Sequence, residues 1–402
     1  MKIYYGKAIY DKKEINASLS VLKSKSLTLI DGPLVKELEK KISSLFGKKY
    51  GLMVNSGSSA NLLALASLNL KKGDEVITPT LTFSTTVAPI YQLGLTPHFI
   101  DVEGNSFVAK IDQIKKAINK KTKAIMVPNL LGNVPNWKNI FQIAKKRNIK
   151  LIEDSADTIG YRVHNKNLGK YSDITTNSMY ASHIITGAGF GGMVCFNDKK
   201  TYERAKLLRG WGRSSAIFNE SEGIKKRFNI KVDGIPYDGK YIFSDMGYNF
   251  LPSEISAAFA LEQLKKLSKN IKIRNYNFNQ LKKFFKKYSN YFDLPEVNKK
   301  VKTPWLAFPL VIKNNKKFKR KELQIYLEKN NIQTRTIFTG NILKQPIIKN
   351  KIFKKIKNSE NVSNNVMKNG LLIGCHQGLN NSDLNYIYST FDNFFKKLKK
   401  KK

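Results

Sequence analysis

Cysteine is nearly missing from this chain. Its 402 residues include two, Cys195 and Cys375, too few for a disulfide framework and without the CxxC spacing of a zinc or redox site. A reducing compartment is the expectation. Two thiols also cannot hold an iron-sulfur cluster, which takes about four ligands from one chain. Histidine is scarce as well, and His98, His164 and His376 show no metal-ligand spacing, so no metal is expected. No run approaches the roughly 18 apolar residues of a membrane span, and Met1 to Lys7 lacks the apolar stretch of a signal peptide. These absences predict a cytoplasmic protein with no membrane insertion.

Acidic residues are outnumbered. Against 71 Lys and Arg stand 30 Asp and Glu, a formal net charge of +41. Such an excess invites a nucleic-acid reading, because cations on a protein neutralise phosphates and release counterions. Yet most of it is lysine spread along predicted helix faces, as in Lys115-Lys116, Lys145-Lys146, Lys265-Lys266 and Lys282-Lys283. Only Lys396 to Lys402 approaches a block. There is no zinc-finger spacing, RNA-binding signature or helix-turn-helix, so no nucleic-acid partner is expected. A solvated basic surface can still attract anionic small molecules.

What is present reads as α/β. With 41% hydrophobic and 25% charged residues, the chain can build two or more packed layers and two domains. Strands are predicted at Tyr50 to Val54, Glu75 to Thr78, Pro97 to Val102, Ala124 to Pro128 and Ile149 to Glu153. Helices are predicted between them at Ser58 to Leu70, Thr85 to Leu93, Ile111 to Asn119 and Trp137 to Arg147. Two more precede this block, at Asp11 to Ser24 and Leu34 to Phe46. Crossovers of this length imply a mostly parallel sheet covered by helices on both faces. A long helix, Asn270 to Tyr288, then opens a smaller region with a strand at Trp305 to Ile312 and helices at Lys319 to Lys329 and Ser382 to Lys397. The domains expected are a large one over 1–269 and a small C-terminal α+β one over 270–402.

Three segments carry candidate chemistry. Asn55-Ser56-Gly57-Ser58-Ser59-Ala60-Asn61 follows a strand and opens a helix, where free N–H groups can bind an anion such as phosphate, or form only a capped turn. Glu153-Asp154-Ser155-Ala156-Asp157 ends a strand at the crevice side of the sheet. A carboxylate there, Asp154 first, can accept from a protonated pyridine nitrogen, or simply cap a helix. Asp157 lies one turn later, within reach of a ring hydroxyl. Phe83, just past another strand end, can stack on a planar ring or belong to the core.

The order of these segments resembles the sugar aminotransferase family, fold type I pyridoxal-phosphate enzymes that act on nucleotide-linked keto sugars. The likeness spans nearly the whole chain, through Asp31-Gly32-Pro33, Gly73-Asp74-Glu75-Val76-Ile77, Leu131-Gly132-Asn133 and Gly247-Tyr248-Asn249-Phe250. Where family members usually carry a lysine that links covalently to the cofactor, this chain has His183, in Ser178-Met179-Tyr180-Ala181-Ser182-His183. That substitution, with Leu208 to Arg213, Tyr237 to Tyr241 and Thr334 to Asn341, is similar to the 4-keto-6-deoxy sugar 3-dehydratases. The colitose-type members of that branch have no iron-sulfur cluster.

The resemblance implies pyridoxal or pyridoxamine phosphate as cofactor, a nucleotide-linked keto sugar as substrate, glutamate as amine donor and a homodimer. It implies C3 deoxygenation of a 4-keto-6-deoxy hexose for surface polysaccharide or deoxysugar synthesis. It gives the cofactor phosphate to Gly57, Ser58, Ser178 and the partner subunit's Asn249, and ring stacking to Phe83. His183 becomes the catalytic residue, an imidazole that moves protons near neutral pH without capturing an aldehyde. Arg209, Trp211, Arg213, Arg335, Asn341 and His376 are the candidate substrate contacts. The run Thr186-Gly187-Ala188-Gly189-Phe190-Gly191-Gly192 departs from the dehydratase form, being one residue longer and carrying Phe190 where glycine or a polar residue is commoner. An aminotransferase-like enzyme of different outcome and a catalytically silent sugar-nucleotide-binding protein are the other readings.

Overall fold

In the computed structural model, which describes residues 2–24, 28–160, 162–163, 166–217, 223–297, 301–313 and 317–400, short β-rich runs alternate with helices as the periodicity requires. His164 and the last two lysines lie outside the described residues. The strands β1 (Tyr50–Val54), β2 (Glu75–Pro79), β3 (Thr96–Ile100), β4 (Thr122–Pro128), β5 (Lys150–Asp154), β6 (Ile174–Ser178), β7 (Gly192–Phe196) and β8 (Lys354–Lys355) form one sheet. Its order is β1-β7-β6-β5-β4-β2-β3-β8. β7 runs antiparallel to both neighbours, and the remaining pairs are parallel.

Alternating side chains supply two cores, one on each face. Met53, Ile77, Ile125, Val127 and Leu151 point toward the helices Pro33–Leu45, Trp137–Lys145 and Glu254–Phe285. Their neighbours Leu52, Val54, Val76, Ala124, Met126 and Ile152 point the other way, onto the helices Gly57–Ala66 and Lys199–Arg209. Burial on both faces is what a parallel sheet demands.

β6 and β7 were not anticipated from sequence. Ile174-Thr175-Thr176-Asn177-Ser178 reads as a polar loop, yet it is a buried strand whose polar side chains find donors and acceptors on other segments. Thr176 Oγ1 donates to Asn61 Oδ1 at 2.7 Å, and Asn177 Nδ2 to the Ser155 carbonyl at 2.7 Å.

The long helix begins at Glu254, not Asn270, and its 32 residues run through position 270, where the sequence suggests a domain boundary. Ser253 caps it by accepting from the Ile255 N–H, and its Ala-rich first turns are buried. Beyond it, Phe292–Asp293, Phe308–Ile312 and Gly370–Ile373 form a small antiparallel sheet. The helices Arg320–Lys329, Asn361–Asn369 and Asn381–Lys400 accompany that sheet. No helix among the described residues is long and apolar enough to cross a membrane.

Candidate active site

The carboxyl ends of β5 and β6 and the helix starts after β1 and β2 converge on a cavity of about 980 Å³. That volume suits a cofactor with part of a substrate. Ser58, Phe83, Asp154, Asp157, Ser178 and His183 all line it, so residues spread over 126 positions meet at one edge of the sheet.

An anion cradle lies at the start of helix Gly57–Ala66. Ser56 caps it, its Oγ accepting from the Ser59 N–H at 3.1 Å and its carbonyl from the Ala60 N–H at 3.0 Å. The Gly57 and Ser58 amides, in the first turn, have no acceptor within the helix. Ser178 closes the other side so tightly that a Cβ on Gly57 would fall 2.5 Å from the Ser178 Cβ. Glycine is therefore what lets the helix start reach the strand end.

Asp154 is the last residue of β5 and almost fully buried. Its Oδ2 accepts from Asn61 Nδ2 at 2.8 Å and Thr86 Oγ1 at 2.9 Å, while its Oδ1 accepts from the Ala156 N–H at 3.1 Å. Burial pushes this carboxyl above its usual range, against those donors. Oδ1 retains a lone pair for a cationic donor in the cavity. Asp157 accepts the Leu131 N–H at 2.8 Å and is raised to about 7 by burial, with a smaller contribution from the Asp154 charge. Phe83 is half exposed into the cavity and meets the Phe338 ring edge to face at 6.0 Å.

His183 sits in the turn after β6. Its Nδ1 lies 3.3 Å from the Ser178 carbonyl, and because a carbonyl only accepts, Nδ1 carries the proton. Nε2 is then the unprotonated nitrogen. Burial lowers the imidazole to about 4, with Arg274 adding to the effect against the Ser178 bond. The ring is a neutral base at physiological pH. Among the described residues lining the cavity, none is a lysine.

The structure brings only part of the predicted set here. Arg335 lines the cavity, its guanidinium 5.8 Å from the Tyr5 ring. Arg209 does not; it is buried under the sheet, ion-paired to Asp31 at 2.5 Å and Glu39 at 3.3 Å. Trp211 and Arg213 stack on each other at 4.5 Å beside a second, smaller cavity, and Asn249 is exposed opposite Gly210. Asn341 is buried as a cap, accepting from the Leu343 N–H and donating to Glu360 and Asn364. His376 is likewise consumed internally: Nε2 faces the Tyr4 carbonyl at 3.1 Å, and Nδ1 accepts from the Gly378 N–H. Neither lines the cavity.

Sequence reasoning passed over Asn61 and Thr86, which orient Asp154, and Tyr5, which joins the wall from the N-terminal segment. Asn61 could have been found as a polar residue on a helix face that is otherwise apolar. The loop over 186–192 forms a tight turn, with Ala188 at φ 56° and Gly189 at φ 98°, that presents Phe190 to the cavity.

A mostly parallel sheet with one reversed strand, an anion cradle after β1, an aspartate ending β5 and a cleft against a smaller C-terminal sheet define a fold type I pyridoxal-phosphate enzyme. Within that class the chain belongs to the DegT/DnrJ/EryC1/StrS aminotransferase family, whose model matches residues 8–392. It is 35% identical over 368 residues to the lipopolysaccharide biosynthesis protein RfbH of Salmonella typhimurium, covering 89% of this chain and 84% of that one. It is 35% identical to the GDP-4-keto-6-deoxy-D-mannose 3-dehydratase of Yersinia pseudotuberculosis, covering 92% of each. A crystal structure of GDP-4-keto-6-deoxymannose-3-dehydratase with a trapped PLP-glutamate geminal diamine superposes with a TM-score of 0.85 at 32% identity, covering 96% of this chain and 99% of that one.

Proposed function

We propose that this protein removes the C3 hydroxyl of a nucleotide-linked 4-keto-6-deoxy hexose, with pyridoxal or pyridoxamine phosphate as cofactor and glutamate as amine donor. The carrying observation is a cavity fitted for a phosphate and a planar ring whose described lining offers an imidazole and no lysine amine. The likeness to the 3-dehydratases supports the substrate class and the role in surface polysaccharide synthesis.

The Gly57 and Ser58 amides and Ser178 would hold the phosphate. Phe83 would stack on the ring, Asp154 would accept from its protonated nitrogen, and Asp157 would face its hydroxyl. When bound, the cofactor supplies an electron sink next to the sugar. His183 does the proton work: Nε2 receives a proton from the activated carbon and returns it to the C3 hydroxyl, which leaves as water. The Ser178 carbonyl keeps Nδ1 protonated, so Nε2 alone carries this traffic. Arg335, a cation in the cavity wall, would meet an anionic group of sugar nucleotide or glutamate.

The active form is read as a homodimer in the cytoplasm. Ile224, Ile235 and Met246 are 77%, 64% and 92% exposed, apolar side chains that a second copy would remove from water, and Asn249 is exposed as well. Replacing His183 by lysine tests the assignment. The variant should form a borohydride-reducible cofactor adduct and lose deoxygenation; unchanged deoxygenation would remove His183 from its role.

A further inference from the structure

The helix Glu254–Phe285 carries an arginine that solvent does not reach. Arg274 is 0% exposed, and no carboxylate among the described residues acts on it. Its partners are neutral. Nε donates to Gln377 Oε1 at 2.7 Å, one Nη to the Trp305 and Leu306 carbonyls at 3.0 and 3.1 Å, and the other points at the His183 carbonyl at 3.5 Å. A buried guanidinium without a counter-ion is costly, and apolar replacements of buried ions commonly leave a fold as stable or more so. Stability therefore does not account for Arg274. Its position behind the His183 turn does.

We propose that Arg274 is a positioning residue of this site: it seats the His183 turn against the cavity and sets an unneutralised positive charge behind the imidazole. The inference rests on His183 as the proton carrier. The charge makes the ring a weaker base but, once protonated, a stronger acid, which favours handing the proton to the departing hydroxyl. The other titratable or charged groups around the ring do not cancel it. Tyr180 shares the turn and meets the imidazole at 5.9 Å, Asp154 ends β5 and Asp157 follows it, neither carboxylate hydrogen-bonded to the ring, and Tyr5 comes from the N-terminal segment. Arg335 adds a second cation from the cavity wall, and Cys375 and His376 lie within electrostatic range of Arg274. Burial holds the Tyr5 hydroxyl and Cys375 thiol protonated, so neither neutralises Arg274.

The test is a ¹⁵N-histidine NMR titration of cofactor-free wild type, Arg274→Gln and Arg274→Lys, with the His183 signal identified by its loss in His183→Gln. Wild type should titrate near 4. Arg274→Gln should move that midpoint up, and Arg274→Lys should leave it low. An unmoved midpoint in folded Arg274→Gln overturns the proposal. If Arg274→Gln does not fold, the apolar Arg274→Met decides by the same criterion: a raised midpoint upholds the proposal and an unmoved one overturns it. No substrate or cofactor enters the measurement, so its failure is distinct from failure of the dehydratase reading.

Discussion

Gly57→Ala probes the phosphate cradle most sharply. The new methyl would lie 2.5 Å from the Ser178 Cβ, 2.8 Å from its Oγ and 3.3 Å from its Cα. Comfortable carbon contacts begin near 3.5 Å. Alanine in place of a helical glycine gains up to about 1 kcal/mol, whereas overpacking costs about 1–3 kcal/mol. The net loss of stability is then about 0–2 kcal/mol, so the protein should fold. Relief must come from backing the helix start away from β6, because Ser178 is buried at the strand end. That movement carries the Gly57 and Ser58 amides out of place. Pyridoxal-phosphate affinity, read by absorbance titration of the cofactor-free protein, should fall about tenfold or more, roughly 1.4 kcal/mol. Wild-type affinity in folded Gly57→Ala would refute the cradle.

Other expectations follow from the same geometry. Phe83→Leu should weaken cofactor binding by about 0.5–1.5 kcal/mol with little change in thermal stability, since the ring is half exposed; the same titration reads it. His183→Gln should retain cofactor and lose about 10²–10⁴ in kcat, measured by single-turnover deoxygenation. Arg209→Met should cost about 3–5 kcal/mol in urea unfolding, because Asp31 and Glu39 lose their cation. Burial already raises Glu39 to about 7, above its unfolded value, so the folded protein takes up its proton as pH falls through that point. The Arg209→Met penalty should shrink between pH 8 and pH 5; a constant penalty would count against Glu39 as the stranded charge.

The parallel half of the sheet was readable because β2, β4 and β5 are apolar runs separated by helical periods. β6 was not, since Thr176 and Asn177 donate to partners 115 and 22 residues away. The same physics divides the candidate site. Ser58, Phe83, Asp154 and His183 lie at or just past strand ends, and topology alone gathers strand ends at one edge. Asn341 and His376 come from loops whose polar groups are equally well explained by capping and backbone bonds, and the structure uses them that way. Arg209 resembles an anion-binding arginine until its partners Asp31 and Glu39 are placed beside it. Arg274 looks like one more cation on a lysine-rich helix, and only burial separates it from the others.

The most direct test of the account incubates the purified protein with pyridoxal phosphate, glutamate and GDP-4-keto-6-deoxy-D-mannose, then weighs the sugar product. The account predicts a keto sugar nucleotide one oxygen atom lighter, with glutamate oxidised to 2-oxoglutarate and ammonia released. A product that keeps its C3 hydroxyl and gains a stable amine at C4 would contradict it.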